Sequence, residues 1–433
     1  KYQKPSKEIL DLVEFERPPS IVYDDNKNFM LFLFRDNYKS ISELSAKELR
    51  LGGLRIDPKT NIGSRVTYYN NVKIRNLKNQ KSEITQVEGL PKNPKLSNIS
   101  WSPNQKRIAL TNTTETGVEL WVLELENGSV TKLTEPNLNS NIGSVINWFA
   151  DSENMLVKMI SNNRKSLIDT KQIVPDGPTI STNFGEKAQN RTYQDLLKNK
   201  FDEHNFEQLS TSAIFKVSID GSVKKWMDDG MYRTISFSPN GEYVMISQIN
   251  KPFSYLVTYS RFPTETNVYS KDGNFISNLL NVPLIEELPK GFMSVRTGKR
   301  SFSWRPDKGA SLTYVTALDS GDPSKKVDFR DEVYELNYPF LGQGKFILKT
   351  INRFSGIDWG TKDMAIAYDT WWNTRNRKSY VFNPSNPNIK PKIISDRNYQ
   401  DTYSDPGVFL RSRNEFNRSV LKMHYGNIFL RGQ

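Results

Sequence analysis

The sequence has no cysteine, only two histidines and no long apolar run. Without cysteine there can be no disulfide, no thiolate metal site and no cysteine nucleophile, and the redox compartment stays open. Two isolated histidines, His204 and His424, make a poor zinc set. No metal and no cofactor is expected. The longest uninterrupted apolar stretch, Phe29–Phe34, falls far short of the roughly 20 residues a membrane-crossing helix needs, so no membrane span is expected. There is no Gly-x-x-x-x-Gly-Lys-Ser/Thr loop, since Gly342-Gln-Gly-Lys345 is too short to wrap a phosphate, and no Gly-x-Gly-x-x-Gly follows a strand. The nearest approach to a strained nucleophile turn, Gly309-Ala-Ser-Leu-Thr313, lacks the second glycine and falls between two expected strands. No catalytic residue is assigned in this chain.

What is present is ample apolar and aromatic material: 36% hydrophobic and 12% aromatic residues over 433 positions, enough to bury a core. Lys and Arg number 60 against 48 Asp and Glu, a net charge of +12. A basic balance permits nucleic acid, an anionic surface or acidic substrates as partners. The densest basic stretches, Lys73–Lys81 and Arg375–Lys378, are short and interrupted. They read as solvated faces, and no nucleic-acid partner is expected. The acidic pairs Asp24–Asp25, Asp228–Asp229 and Asp331–Glu332 read as turn or edge charges.

Short β-type runs punctuated by turn residues dominate. One unit recurs: Ile99-Ser-Trp-Ser-Pro-Asn-Gln-Lys-Arg-Ile-Ala-Leu110, then Ile235-Ser-Phe-Ser-Pro-Asn-Gly-Glu-Tyr-Val-Met-Ile246, then Phe302-Ser-Trp-Arg-Pro-Asp-Lys308. Weaker copies begin at Ile146 and Ile357, with a further one at Ile21. A second unit is strand, Asn/Asp-Gly turn, strand, as at Asn127-Gly128, Asp220-Gly221 and Asp272-Gly273. Such dipeptides favour tight hairpins because both central residues take positive φ. Two hairpins per period make a four-stranded antiparallel sheet. The anchors Trp101, Trp148, Phe237, Trp304 and Trp359 recur at one or two periods of about 45–65 residues, the spacing of β-propeller blades. A lone blade cannot cover its own two faces, so these aromatics are read as packing between blades. The fold class expected is all-β, a β-propeller of about six to seven four-stranded blades with a helical insertion. Residues 1–19 form an N-terminal arm and 20–433 the propeller, incomplete at its C-terminus, with an inserted segment at 161–212. Ile41–Leu51 reads as a short helix. Within the insertion, Pro175-Asp-Gly-Pro178 reads as a turn. Thr192–Glu203 reads as an amphipathic helix capped by Thr192 with Asp195, presenting Tyr193, Leu197 and Phe201 on one face.

The segments that break this rhythm carry a resemblance. They are Pro5–Val13 before Arg17-Pro-Pro19, Glu48-Leu-Arg-Leu-Gly-Gly-Leu-Arg-Ile-Asp-Pro-Lys-Thr-Asn-Ile-Gly-Ser-Arg65, Arg191–Lys198, Ser254–Pro263, Ser294-Val-Arg-Thr-Gly-Lys-Arg-Ser-Phe-Ser-Trp-Arg305 and Tyr403-Ser-Asp-Pro-Gly407. In order, from about residue 3 to the last, they resemble the N-terminal half of the glutamyl endopeptidase branch of the prolyl oligopeptidase family, known from chloroplasts and Bacteroidetes-type bacteria.

The resemblance implies a serine peptidase whose α/β-hydrolase domain, with its triad, is not in this chain. The chain ends on Tyr425–Gln433, a strand and turn with no strand after it, and this reads as truncation. The propeller is then a substrate-gating domain, with peptide substrates and the hydrolase domain of the same protein as partners. Preference for acidic (Glu) residues needs a desolvated cationic pocket, for which Arg is the best provider. The substrate-binding candidates are Arg55, Arg65, Arg261, Arg296 and Arg300, with Glu203 as a possible holder of a substrate amine. The alternative is a non-catalytic propeller acting as scaffold or accessory subunit in a bacterial envelope assembly, with envelope proteins as partners. The chain opens at Lys1 and not Met, which fits a removed signal peptide. The location expected is therefore periplasmic or exported in a bacterium, or plastid in a plant.

Overall fold

The computed structural model describes residues 3–79, 81–169 and 192–432. It divides into two units, Lys1–Asp176 with Asp195–Arg233, and Gly177–Gln194 with Thr234–Gln433. Each is built of four-stranded antiparallel sheets.

In the N-terminal unit the first sheet runs Ser20–Tyr23, Phe29–Phe34, Asn71–Asn76 and Thr85–Gln86. The second runs Leu96–Trp101, Arg107–Thr113, Val118–Glu124 and Ser129–Lys132. The third takes Ile146–Trp148, Asn154–Ile160, Ser212–Ser218 and the start of the long strand Val223–Phe237. Ser212–Ser218 pairs with the 223–230 half of that strand, up to Gly230. The far end of the strand, which enters the C-terminal unit at Thr234, heads a fourth sheet with Tyr243–Ile249, Thr264–Ser270 and Phe275–Val282. The fifth sheet is Arg300–Trp304, Ser311–Ala317, Asp331–Asn337 and Lys345–Thr350. The sixth is Arg353–Thr361, Met364–Trp371, Asn376–Phe382 and Lys392–Asn398. The all-β expectation holds, and counting the two halves of the sheet that shares Val223–Phe237 separately gives six blade-type sheets among the described residues, within the expected six to seven.

Within each unit the sheets stack face to face in chain order. Leu31, Leu33, Val72 and Ile74 of the first sheet share a core with Leu96, Ile108, Leu110 and Leu123 of the second. Val118, Leu120 and Val122 then meet Ile146, Met155, Val157 and Met159 of the third. In the C-terminal unit Met245 and Val268 of the fourth sheet meet Leu312, Tyr314 and Leu336 of the fifth. Val315, Val333 and Leu348 meet Trp359, Ala365, Tyr380 and Phe382 of the sixth. Each sheet thus buries on its neighbour the apolar face it could not cover alone.

The repeated motif explains how the stacking is fixed. Trp148 Nε1 donates to the carbonyl of Ser100, 3.1 Å, and Trp304 Nε1 donates to that of Ser236, 2.9 Å. Ser100 and Ser236 each precede an anchor, Trp101 and Phe237. The same contact therefore recurs between repeat-equivalent positions of successive sheets. The Ser-Pro-Asn turn is equally regular. Ser102 Oγ donates to Asn104 Oδ1, 2.8 Å, and accepts from Arg107 N, 3.0 Å. Ser238 Oγ does the same with Asn240, 2.7 Å, and Tyr243 N, 3.0 Å. Gln105, at φ 61, stands where the second copy has Gly241, at φ 76.

Two helix expectations are corrected. Asp195 lies at φ 58 with its carboxylate on Arg55, so no helix runs from Thr192. The helix is Lys200–Ser210, between the second and third strands of the third sheet, capped by Asn199, whose side chain accepts from Asp202 N. It buries Phe206 and Leu209. Ile41–Leu51 splits into a four-residue helix, Ile41–Leu44, and a strand, Leu49–Leu51. Ser40 and Glu43 close that helix in a reciprocal capping box. The Pro175–Pro178 turn and Arg191 lie outside the described residues. The terminal Leu430–Arg431 does have a strand partner, upstream, in Val408–Phe409.

Candidate functional site

In the N-terminal unit Leu51-Gly-Gly-Leu54 makes a tight hairpin, with Gly52 and Gly53 both at positive φ, between Leu49–Leu51 and Leu54–Asp57. Its register sets Arg50 directly opposite Arg55. Like charges so placed repel, and carboxylates resolve the conflict. Asp195 takes Arg55 Nε at 2.5 Å and lies 3.9 Å from Arg50 Nη1. Glu48 takes Arg50 Nε at 2.9 Å, Arg65 Nε at 3.4 Å and the Ser64 hydroxyl at 2.5 Å. The Ser64 hydrogen bond, helped by Arg50 and Arg65, holds the Glu48 carboxyl below its ordinary range against the effect of burial. The hydrogen bond to Asp195 raises Arg55. Two of the sequence candidates, Arg55 and Arg65, therefore sit in one cluster with three arginines and two carboxylates. Glu203 lies nearby in chain terms, half-buried in the first turn of Lys200–Ser210, a helix that packs beside Leu49–Leu51.

Two open clefts lie in this unit, the first bordering the hairpin. One of about 830 Å³ is lined by Glu48, Arg50, Arg65 and Lys59 among others. A second of about 700 Å³ is lined by Arg17, Arg35, Lys39 and Tyr38. Tyr68 and Lys95 line both.

The C-terminal unit holds a denser network at the strand starts of the fifth and sixth sheets. Arg300 Nη2 lies 2.5 Å from Asp331 Oδ1, which also takes Arg353 Nη1 at 3.1 Å. Arg353 Nη2 and Arg330 Nη1 both lie 2.7 Å from Asp319 Oδ2. Asp331 further accepts from Phe354 N, and Arg353 Nε donates to the carbonyl of Met293, each at 2.8 Å. Both aspartates are fully buried. Arg330 stacks on Trp371 at 3.9 Å and Arg375 on Trp372 at 3.8 Å. Arg296 donates to the carbonyls of Thr297 and Lys299. Burial, and then the charge of Arg300, lowers its pKa. Three arginines, Arg300, Arg330 and Arg353, share the two buried aspartates, with Arg296 beside them on backbone carbonyls. Such a site is suited to a carboxylate held by an Arg fork.

The remaining candidate, Arg261, lies on the short turn Tyr259–Arg261, largely buried, with its guanidinium 5.2 Å from the Tyr193 ring centre. Asp331 is corrected from an edge charge to the buried centre of the network. Sequence reasoning also missed Arg330, Arg353 and Asp319. The one available signal was their crowding at 319–353 among strand boundaries. Ser311, of the rejected Gly-Ala-Ser motif, is a buried strand residue whose hydroxyl donates to Glu335 at 2.6 Å.

The fold and these clusters define the chain as an all-β protein of stacked four-stranded sheets carrying arginine-rich sites. No family model matches the chain. It is 34% identical over 420 residues to a rice (Oryza sativa subsp. japonica) protein named "Probable glutamyl endopeptidase, chloroplastic", covering 94% of this chain and 44% of that protein. An Arabidopsis thaliana protein of the same name is 31% identical over 433 residues, covering 97% of this chain and 45% of its own length. The chain thus spans less than half the length of the curated relatives it matches. Among solved structures, an acylaminoacyl peptidase of Pyrococcus horikoshii aligns at TM-score 0.40 and 15% identity, over 93% of this chain and 48% of that one. TolB from Acinetobacter baumannii aligns at TM-score 0.30 and 12% identity, over 76% and 61%. The expectation of a periplasmic or exported bacterial protein is corrected here. Both curated relatives are plant proteins named as chloroplastic, in line with the plastid alternative.

Proposed function

We propose that this chain is the propeller part of a serine peptidase of the prolyl oligopeptidase family, cleaving peptides with preference for glutamate. The observation that carries the reading is the match over 94% of the chain to a protein named as a glutamyl endopeptidase, of which the chain accounts for 44%. The Ser-Asp-His triad belongs to the remainder of the whole protein. The propeller acts beside it as a gate that admits peptides and excludes folded proteins.

Glutamate preference requires a desolvated cation near the cleaved bond. Among Arg55, Arg65, Arg261, Arg296 and Arg300, Arg296 suits the task because it is half-buried and its side-chain hydrogen bonds run to backbone carbonyls, not to a carboxylate. The test uses the full-length protein with fluorogenic peptides differing only in Glu or Gln before the scissile bond. Cleavage faster by tenfold or more after Glu, covalent labelling by a fluorophosphonate, and loss of the Glu preference in Arg296→Gln are the expected results. Absence of both labelling and cleavage would refute peptidase function. Labelling with equal Glu and Gln rates would refute the specificity alone.

A further inference from the structure

The smaller cleft of the N-terminal unit is unusual in how its charges are satisfied. It is about 700 Å³ in volume, and its cations are Arg17, Arg35, Lys39 and Lys95. Its two acids are already engaged. Asp36 accepts from Asn70 Nδ2 at 2.8 Å. Glu43 accepts from Ser40 N at 2.9 Å in the capping box and pairs with Lys95 at 3.5 Å. Among the described residues no ion pair is formed by Arg17, Arg35 or Lys39. Arg35 goes further, for its Nε is buried with no hydrogen-bond acceptor. Buried donors are almost always matched, and an unmatched one of a charged group is costly.

We propose that this cleft is a carboxylate-binding site, with the Arg35 guanidinium as its centre and Lys39 and Arg17 as flanking charges. Arg35 lines the cleft, and a planar guanidinium fork offers a carboxylate parallel hydrogen bonds. Tyr38 and Tyr68 supply walls with an apolar body and a polar tip. Among the described residues no glycine lines the cleft, and the helix beside it has only four residues. The glycine-rich loop and long-helix N-terminus that commonly hold phosphate are thus not what lines it. The volume exceeds one carboxylate and accommodates either a free dicarboxylate or the acidic side chain of a peptide. The site contains no reacting group and does not depend on peptidase activity.

The test measures binding to the full-length protein by calorimetry at low salt, after treatment with a fluorophosphonate so that no peptide is turned over. The probes are glutarate, acetyl-Gly-Glu-Gly-Glu-Gly-amide, its Gln counterpart and inorganic phosphate. One or both carboxylate probes bind, the Gln peptide does not, and Arg35→Gln weakens binding about tenfold or more. Glutarate binding as tightly as the peptide assigns a free dicarboxylate, while binding of the peptide alone assigns an acidic segment. Lys39→Gln and Arg17→Gln each weaken binding about threefold, and Arg17→Gln, on an exposed residue, carries the test should Arg35→Gln misfold. Unchanged affinity in these variants, tighter binding of phosphate, or no carboxylate binding at millimolar concentration overturns the proposal.

Discussion

Lys158 lies on the second strand of the third sheet, 2% exposed, its backbone N–H donating to the carbonyl of Val145 at 3.2 Å. Its ammonium donates to the carbonyl of Ile142 and, among the described residues, pairs with no carboxylate. Burial pushes its pKa from 10.5 down to about 7. A base whose folded-state pKa lies below its unfolded one binds fewer protons when folded. Its cost to stability is therefore complete below the folded pKa and is relieved as pH rises toward the unfolded one. A shift of this size corresponds to about 4 kcal/mol lost at pH 7, and about half of that is recovered by pH 9. Lys158→Met keeps the length and removes the charge. It leaves the Ile142 carbonyl without its donor, at about 1 kcal/mol. The net expectation at pH 7 is a gain of about 3 kcal/mol, shrinking to about 1 kcal/mol at pH 9. Urea unfolding followed by tryptophan fluorescence at both pH values measures this directly. If the wild type and Lys158→Met show the same pH dependence between 7 and 9, the buried-amine argument is refuted.

Two further predictions concern the sheets themselves. Asp331→Asn takes from Arg300 the carboxylate it pairs with and leaves Arg353 with Asp319 alone, and it should cost about 3–5 kcal/mol. Asp228→Asn, on a side chain 92% exposed, should stay within about 0.5 kcal/mol, and thermal unfolding compares the two. Asn199→Ala removes the cap of Lys200–Ser210 and should lower stability by about 1 kcal/mol, with hydrogen exchange in that first turn accelerating first.

The blade rhythm was legible because its signals are local. An Asn-Gly or Asp-Gly dipeptide states its own turn, and Ser-Pro-Asn closes on itself through Ser102 and Asn104 or Ser238 and Asn240. The indole bonds from Trp148 and Trp304 were half legible, since packing was foreseen but not the acceptor one sheet back. The helix was misplaced because Asp195 is claimed by Arg55, a partner 140 positions away, which overrides any local capping preference. The same reason hid the buried network. Asp319, Asp331 and Arg353 meet only after the strand starts of two sheets are aligned, and nothing in their immediate neighbours distinguishes Asp331 from the exposed Asp228. Arg55 and Arg65 were picked from a motif, whereas the carboxylates that neutralise them are set by the hairpin register.

The indole donors of Trp148 and Trp304 have a mechanical implication. Each fastens one sheet to the sheet before it through a main-chain oxygen, so the stagger there is independent of the loops that join the strands. Lengthening or reshaping those outer connections leaves the seam in place, and the rim can diversify without retuning the interior. The two fastened seams also resist parting, because separation would expose a sequestered donor and acceptor together. Any breathing within a unit should therefore be slowest at these two tryptophans, and exchange of their indole protons is a natural gauge of it.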